Sequence, residues 1–333
     1  GFNVDNSCMF NSADSASMEK DAAAPTDNNK WTFSAWVKRS KLGTLQEILY
    51  GESNSTNYCS IRFNDTTDKL TFKNRPGSTT SELVTTQVFR DVSAWYHLVV
   101  VLDTSNATAA NRDIIYINGV RETNFSTESH SGSGDVCYIN SNGNPTKISK
   151  GNSASFFDGY MAEVNFIDGQ ALAASDFGEF DEDSGIWKPI DASGLTFGNN
   201  GFYLDFKDSA NLGNDANGGT DLTESNLAAT DQATDTCTNN FATLNPVYKS
   251  LSQPTYTQGN LSSSASGAGY RLSFSTIAVS TGKWYAEFYR AVGSTDEVFI
   301  GISSLNDAET LFNVTDYYLG ETAKSISISS GNG

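Results

Sequence analysis

Glu179, Asp181 and Asp183 stand at alternate positions in the run Glu179-Phe180-Asp181-Glu182-Asp183, the spacing in this chain best suited to hydrolytic chemistry. On a strand the three would face one way, and two carboxylates flanking a glycosidic bond serve as nucleophile and acid. The neighbours argue against it. Glu182 puts a charge where a strand would send an apolar side chain to the core, and Ser184-Gly185 turns the chain at once. These neighbours favour a solvated acidic loop. A second oxygen-rich stretch, residues 207–219, spaces Asp208, Asn211, Asn214, Asp215 and Asn217 closely among glycines, a donor set that suits calcium. It lacks the EF-hand pattern and its closing bidentate Glu, so an Asx-rich turn competes with the metal. Weak sugar sites use exposed rings and amides on loops and gain strength by multiplicity, which nominates Asn57, Tyr58, Asn124, Phe125, His130 and Asn142.

No Ser-His-Asp grouping can be assembled from only two histidines, and His97, close to Trp95 in a strand, reads as a core or rim residue. Neither a dinucleotide-binding GxGxxG nor a phosphate-binding GxxxxGK[ST] occurs. Weight therefore moves from enzyme to binding or structural protein. Of the 333 residues, 39 are acidic and 21 are Lys or Arg, for a net charge of −18. Nucleic acid is not an expected partner, because phosphate binding needs a basic stripe. No apolar run reaches membrane-spanning length, so membrane insertion is not expected either. Cys8, Cys59, Cys137 and Cys237 form no CxxC pair, which argues against structural zinc and leaves free thiols or one inter-strand disulfide. The start at Gly1 and the end in "SISISSGNG" are read as a processed chain or a piece of a longer product.

The elements that would position these residues are strands. Phe, Tyr and Gly are frequent, and Ser, Thr, Asn and Asp crowd between short apolar runs, the composition of many short strands joined by turns. In "KWTFSAWVKRS", Trp31, Phe33, Ala35 and Val37 share one face of a strand, with Trp36 and Lys38 on the other. Further strands are expected at 8–10, 46–51, 58–64, 69–73, 83–89, 136–139 and 146–148. "WYHLVVVLDT" and "DIIYINGV" read as neighbouring strands, the second ending on the turn pair Asn118-Gly119. In residues 159–167, Tyr160, Ala162, Val164 and Phe166 are expected to alternate against Met161, Glu163 and Asn165. Residues 11–29 read as a loop with one helical turn, and the best helix candidate is the short "DGQALAASDFGEF". After "GFYLDF", a polar stretch without aromatics reads as an extended surface segment or linker. A second β-rich unit follows, with "YRLSFSTIAVS", "KWYAEFYRAV" and "EVFIGISSL".

The order "WTFSAWVKRS", "DVSAWYH", the hairpin ending in Asn118-Gly119, and "FDGYMAEVNFIDG" resembles the concanavalin A-like jelly roll of the laminin G type. It is most similar to the version found in virion structural proteins of marine bacteriophages, cyanophages especially, whose paired tryptophans and basic end correspond to Trp31, Trp36, Lys38 and Arg39. The segment "STGKWYAEFYRA" with "EVFIGIS" resembles the first half of a SPRY-like sandwich. The expected fold is thus all-β: a two-sheet jelly-roll sandwich over 1–187, a strand plus polar linker over 188–247, and an incomplete SPRY-like β-sandwich over 248–333. The resemblance implies a non-enzymatic virion protein on the particle surface, in a tail fibre, appendage or head decoration. It implies other virion proteins or host surface glycan as partners and a homo-oligomer, threefold in fibres of that class. Laminin G sandwiches also hold calcium near a sheet rim, which would give the loop around Asp208 and Asp215 its ligand. The rivals are a polysaccharide depolymerase acting through Glu179, Asp181 and Asp183, and a purely architectural subunit.

Overall fold

The computed structural model describes residues 1–152, 154–249, 254–266, 270–290, 297–304, 306, 318–320, 322 and 324–329. The chain forms two compact units, Gly1–Phe241 and Ala242–Gly333. The first unit opens with β1 (Ser7–Phe10), β2 (Ser17–Asp21), β3 (Lys30–Arg39), β4 (Gln46–Asn54), β5 (Asn57–Phe63) and β6 (Lys69–Pro76). It continues with β7 (Ser81–Val88), β8 (Trp95–Asp103), β9 (Asp113–Ile117), β10 (Val120–Arg121), β11 (Phe125–Ser129) and β12 (Pro145–Ile148). The last six are β13 (Gly159–Asp168), β14 (Gly178–Phe180), β15 (Trp187–Pro189), β16 (Phe202–Leu204), β17 (Thr223–Ser225) and β18 (Gln232–Ala233).

Two antiparallel sheets face each other. Sheet I runs β10-β9-β8-β3-β13-β1-β18, with β16 also paired to β13, and sheet II runs β11-β7-β6-β5-β4-β12-β2-β17. The alternation of β3 sends Trp31, Phe33, Ala35 and Val37 inward, where they meet Ile61, Phe63, Leu70 and Phe72 from sheet II. Trp31 lies edge-on to Phe72 across the sandwich, ring centroids 5.9 Å apart. Full burial of such rings contributes about 2–3 kcal/mol each, so this shared interior is the main source of stability. Asn118 (φ 48°) and Gly119 (φ 80°) are both left-handed, the type I′ turn that folds β10 back on β9.

One strand departs from simple alternation. Glu163 takes φ 49° at a bulge between Ala162 and Asn165, so Met161, Val164 and Phe166 all face the core while Tyr160 and Ala162 face outward. The bulge also changes the neighbour of β13, from β1 at Gly159–Met161 to β16 at Val164–Phe166.

Four expectations need correction. Residues 17–21 form strand β2, held between β12 and β17, because Ala16 and Met18 anchor it in the core. Residues 136–139 form no strand: they cross the inside of β4, where a Cβ on Gly51 would lie 2.3 Å from the Tyr138 carbonyl, and their Cys137 and Ile139 plug the core. The helix candidate yields only a 3₁₀ turn at Ala174–Asp176 before β14, since its glycines leave too few residues to propagate a helix. The polar stretch after Phe206 is not a linker: its β17 and β18 are ladder strands of the sandwich, and the first unit extends to Phe241. Its buried Leu212 and Leu222 and the hydrogen bonds of buried Asp215, Asp235 and Thr236 hold it on the sandwich.

The second unit contains three two-stranded pieces among its described residues: Leu244–Lys249 with Ser273–Ser275, Thr255–Thr257 with Ser262–Ser264, and Phe299–Ser303 with Ser325–Ser329. The expected strand at "KWYAEFYRAV" is absent over the described residues 283–290, where Trp284, Tyr285, Phe288 and Tyr289 are exposed; its last two residues lie outside the described ones.

Candidate functional site

The two outer faces of the sandwich differ. Over sheet I, residues 170–241 lay down apolar cover: Phe177, Ala192, Phe197 and Tyr203 pack on Val99, Val101 and Ile167. Trp187 packs both there and beside Trp36. Beneath it lies His97, fully buried, stacked on Trp36 at 4.8 Å. The Trp187 indole N–H donates to His97 Nδ1 at 2.9 Å, so the neutral ring carries its proton on Nε2 and donates to Ser34 Oγ at 2.9 Å. Burial pushes His97 down to about 3, which keeps it neutral. His97 is a core residue, in line with its strand context. At the other end of the cover, Lys38 Nζ is buried and donates to Asp235 Oδ2 at 2.7 Å, Asn240 Oδ1 and the Phe241 carbonyl. Trp95 donates to Asp235 Oδ1. This knot fastens the unit's last residues to β3.

Over sheet II no such apolar cluster lies among the described residues of this unit. Its outer face is a layer of long polar and aromatic side chains over small ones. Cross-strand register aligns Lys147, Tyr50, Ser60, Lys73 and Glu82 in one row, and Glu52, Tyr58 and Arg75 in the next. Tyr50 and Tyr58 stack with ring centroids 5.9 Å apart. Lys147 lies over Tyr50 and pairs with Glu52 at 3.2 Å, while Arg75 lies over Tyr58. Lys73 pairs with Glu82 at 3.3 Å, and Arg62 sits between Glu82 and Glu47. Glu47 is 3 % exposed, accepts from Ser60 Oγ at 2.6 Å, and is overlain by the loop whose Ser155 carbonyl takes the Glu47 N–H. Desolvation raises its carboxyl to about 7 despite Arg62. Burial, then Glu52, push the Tyr50 phenol above its ordinary range.

The residues nominated from sequence scatter. Tyr58 lies on this face and Asn57 at its rim, at the β4–β5 turn. Phe125 packs against the main core, so it is not a free ring for a sugar. Asn124 holds the neighbouring Thr86 through its carbonyl. His130 sits 3.7 Å from Asp113 and 3.3 Å from Glu128, and these two carboxylates, Asp113 most, raise its pKa. Asn142 is exposed in the turn before β12. Sequence reasoning missed Tyr50, Glu52, Arg75 and Lys147. The alternation of Tyr58, Ser60 and Arg62, and of Lys73 and Arg75, carried the signal for one face, but the register that places these strands side by side did not show in it.

The acidic hairpin β14–β15 is a capped turn. Asp181 Oδ1 accepts from the Asp183 N–H, the Ser184 N–H and Ser184 Oγ, and Lys188 bridges Glu179 and Asp181 at 3.3 and 3.1 Å. The Ser184 hydrogen bonds and Lys188 hold Asp181 well below the usual carboxylate range. A shallow, apolar-lined cleft of about 410 Å³ opens beside it, between Trp187, Tyr116, Phe180 and Ile190. In the 207–219 loop, Asp208 caps the Ala210 N–H, Asn211 Nδ2 donates to Asp221, and buried Asp215 takes the Tyr203 and Asn217 N–H groups and pairs with Lys20 at 3.4 Å. These donors serve the backbone rather than converging, and among the described residues no cluster of three or more His, Cys, Asp or Glu could hold a metal. The fit to calcium is poor there.

Residues 11–176 match the profile of the concanavalin A-like lectin/glucanases superfamily. The first unit carries a laminin G-type, concanavalin A-like domain. The chain is also similar, at low identity, to several solved structures. Domain 4 of AbnA, a GH43 extracellular arabinanase from Geobacillus stearothermophilus, is 20% identical with a TM-score of 0.36, over 44% of this chain and 64% of that one. The SAP-like pentraxin from Limulus polyphemus is 13% identical with a TM-score of 0.38, over 52% of this chain and 80% of that one. Domains LG4-5 of the mouse laminin alpha1 chain are 11% identical with a TM-score of 0.37, over 61% of this chain and 48% of that one. The laminin G-type domain chain thus spans less than two thirds of the arabinanase domain and of the laminin pair. No curated protein sequence matches it.

Proposed function

We propose that the laminin G-type domain is a non-enzymatic, lectin-like module that binds carbohydrate on the outer face of sheet II. The observation that carries this reading is the asymmetry of the sandwich: residues 170–241 seal one face, and the other presents the half-buried Tyr58, backed by the buried Tyr50 and framed by Arg75, Lys147 and Glu52. The Tyr58 ring offers apolar surface to a pyranose, and the flanking charged groups offer hydrogen bonds to its hydroxyls. The superfamily, which includes both lectins and glucanases, is compatible with this and with the depolymerase rival. Against Asp181 as the acid of that rival, a glycosidase acid needs a raised pKa, whereas Asp181 is held low by its own turn.

The sequence resemblance to virion structural proteins supports a place on the surface of a phage particle, as tail fibre, appendage or head decoration. There the module would meet host glycan or a neighbouring virion protein as a homo-oligomer, gaining strength by avidity. A glycan-array screen on the multimerised chain, with calcium and with chelator, tests the binding reading. Binding that survives chelation and is lost in Tyr58→Ala is the expected result; silence on every glycan would move the reading to an architectural subunit. Mass spectrometry and surface labelling of purified particles test the virion assignment.

A further inference from the structure

We infer that Arg75 and Tyr58 form a subsite for a negatively charged sugar, a uronic acid or a sulfated residue, on the outer face of sheet II. This rests on the carbohydrate-binding reading and names its ligand class.

The inference starts from a count of partners on that face. Arg62 has Glu47 at 3.7 Å and Glu82 at 3.9 Å, Lys73 has Glu82 at 3.3 Å, and Lys147 has Glu52 at 3.2 Å. Arg75 has no carboxylate within 4.0 Å among the described residues, and its Nε is buried without a hydrogen-bond partner. In a chain with 39 acids and 21 Lys or Arg, a cation without an acid on a face where its neighbours are paired has its charge available to an anionic ligand. The guanidinium is held in place by the Tyr58 ring, 6.0 Å from its centroid, and Tyr58 in turn stacks on Tyr50. Its register partner across the ladder is Tyr58 itself, so the anion site and the ring face are adjacent on the same row.

The ligand follows from this pairing. A planar guanidinium fork recognises a carboxylate or a sulfate through two parallel N–H···O bonds, and a half-buried ring beside it takes the apolar face of the sugar bearing that group. A neutral sugar would leave the Arg75 fork unused. A net charge of −18 repels polyanions at long range, but salt screens that repulsion, so the subsite engages an anionic polymer through close contact with one charged residue at a time.

The test uses the full chain, multimerised, against immobilised polygalacturonate, a sulfated galactan and neutral dextran, with wild type, Arg75→Met, Arg75→Lys and the paired-cation control Lys73→Met, all checked for an unchanged melting temperature. Wild type should bind one or both anionic polymers and lose about tenfold or more affinity in Arg75→Met, as removal of a charge-assisted contact requires. Arg75→Lys should recover part of the loss, and Lys73→Met should bind as wild type does. Preference between the two polymers tells carboxylate from sulfate. Equal binding by wild type and Arg75→Met overturns the subsite. Binding to dextran alone overturns the ligand class and leaves the carbohydrate reading standing; binding to none of the three, together with a silent glycan array, overturns both.

Discussion

Glu47 makes the stability of the laminin G-type domain fall as pH rises, and replacing it with Gln should remove that fall. The carboxyl is 3 % exposed, under the 149–157 loop, with Ser60 Oγ at 2.6 Å from Oε2 and Arg62 no closer than 3.7 Å to Oε1. Burial is the largest influence and lifts it from 4.5 to about 7, with Arg62 and Ser60 opposing. A raised carboxyl binds its proton more tightly folded than unfolded. Its contribution is therefore fully present below about pH 4.5 and is lost as pH rises through 7. At about 1.4 kcal/mol for each tenfold change in proton affinity, the loss comes to about 3 kcal/mol. In a domain of this size that is about 6–12 °C in melting temperature. Gln has the shape of the protonated acid, and its Oε1 still accepts from Ser60. Glu47→Gln should thus melt with wild type near pH 4.5 and well above it at pH 8, by differential scanning calorimetry of the full chain. Glu163, also buried and raised to about 7, gives both proteins the same background slope. Curves for the two proteins that stay parallel from pH 4.5 to 8 would refute the reasoning.

Three further outcomes are expected. Trp187→Phe removes the N–H that satisfies His97 Nδ1 together with half of the bicycle that packs on Gly119 and Gly178, and should cost at least about 1–3 kcal/mol in urea unfolding. Lys38→Met leaves Asp235 buried with only Trp95 and backbone partners and should cost about 3–5 kcal/mol, while Lys38→Met with Asp235→Asn should regain much of it, a difference that a double-mutant cycle measures. Thiol titration of the folded chain should find Cys8, Cys59 and Cys137 unreactive until unfolding, since all three are buried. Cys237 should react first but slowly, because burial pushes its thiol up.

The sequence determined the all-β class, the inward set on β3 and the Asn118-Gly119 turn by itself, because each rests on local rules: side-chain period, β-branching and the sterics of positive φ. It also read His97 as a core or rim residue and residues 179–183 as an acidic loop rather than a catalytic strand. The polar ladder of residues 207–236 was illegible for the opposite reason. Only Leu212 and Leu222 are buried in the core, and hydrogen bonds such as Tyr203 N–H to Asp215 and Gln232 to the Phe206 carbonyl supply the rest of the anchor, so composition alone cannot tell such a segment from a solvated one. The bulge at Glu163 split the predicted face of β13, leaving Tyr160 and Ala162 outward and Val164 and Phe166 inward, since one extra residue shifts every side chain after it. The outer face of sheet II was decided by tertiary structure alone. Tyr50, Tyr58 and Arg75 come from three strands, and which of them are neighbours depends on register; that Arg75 has no acid to pair with depends on where every carboxylate in the fold has gone.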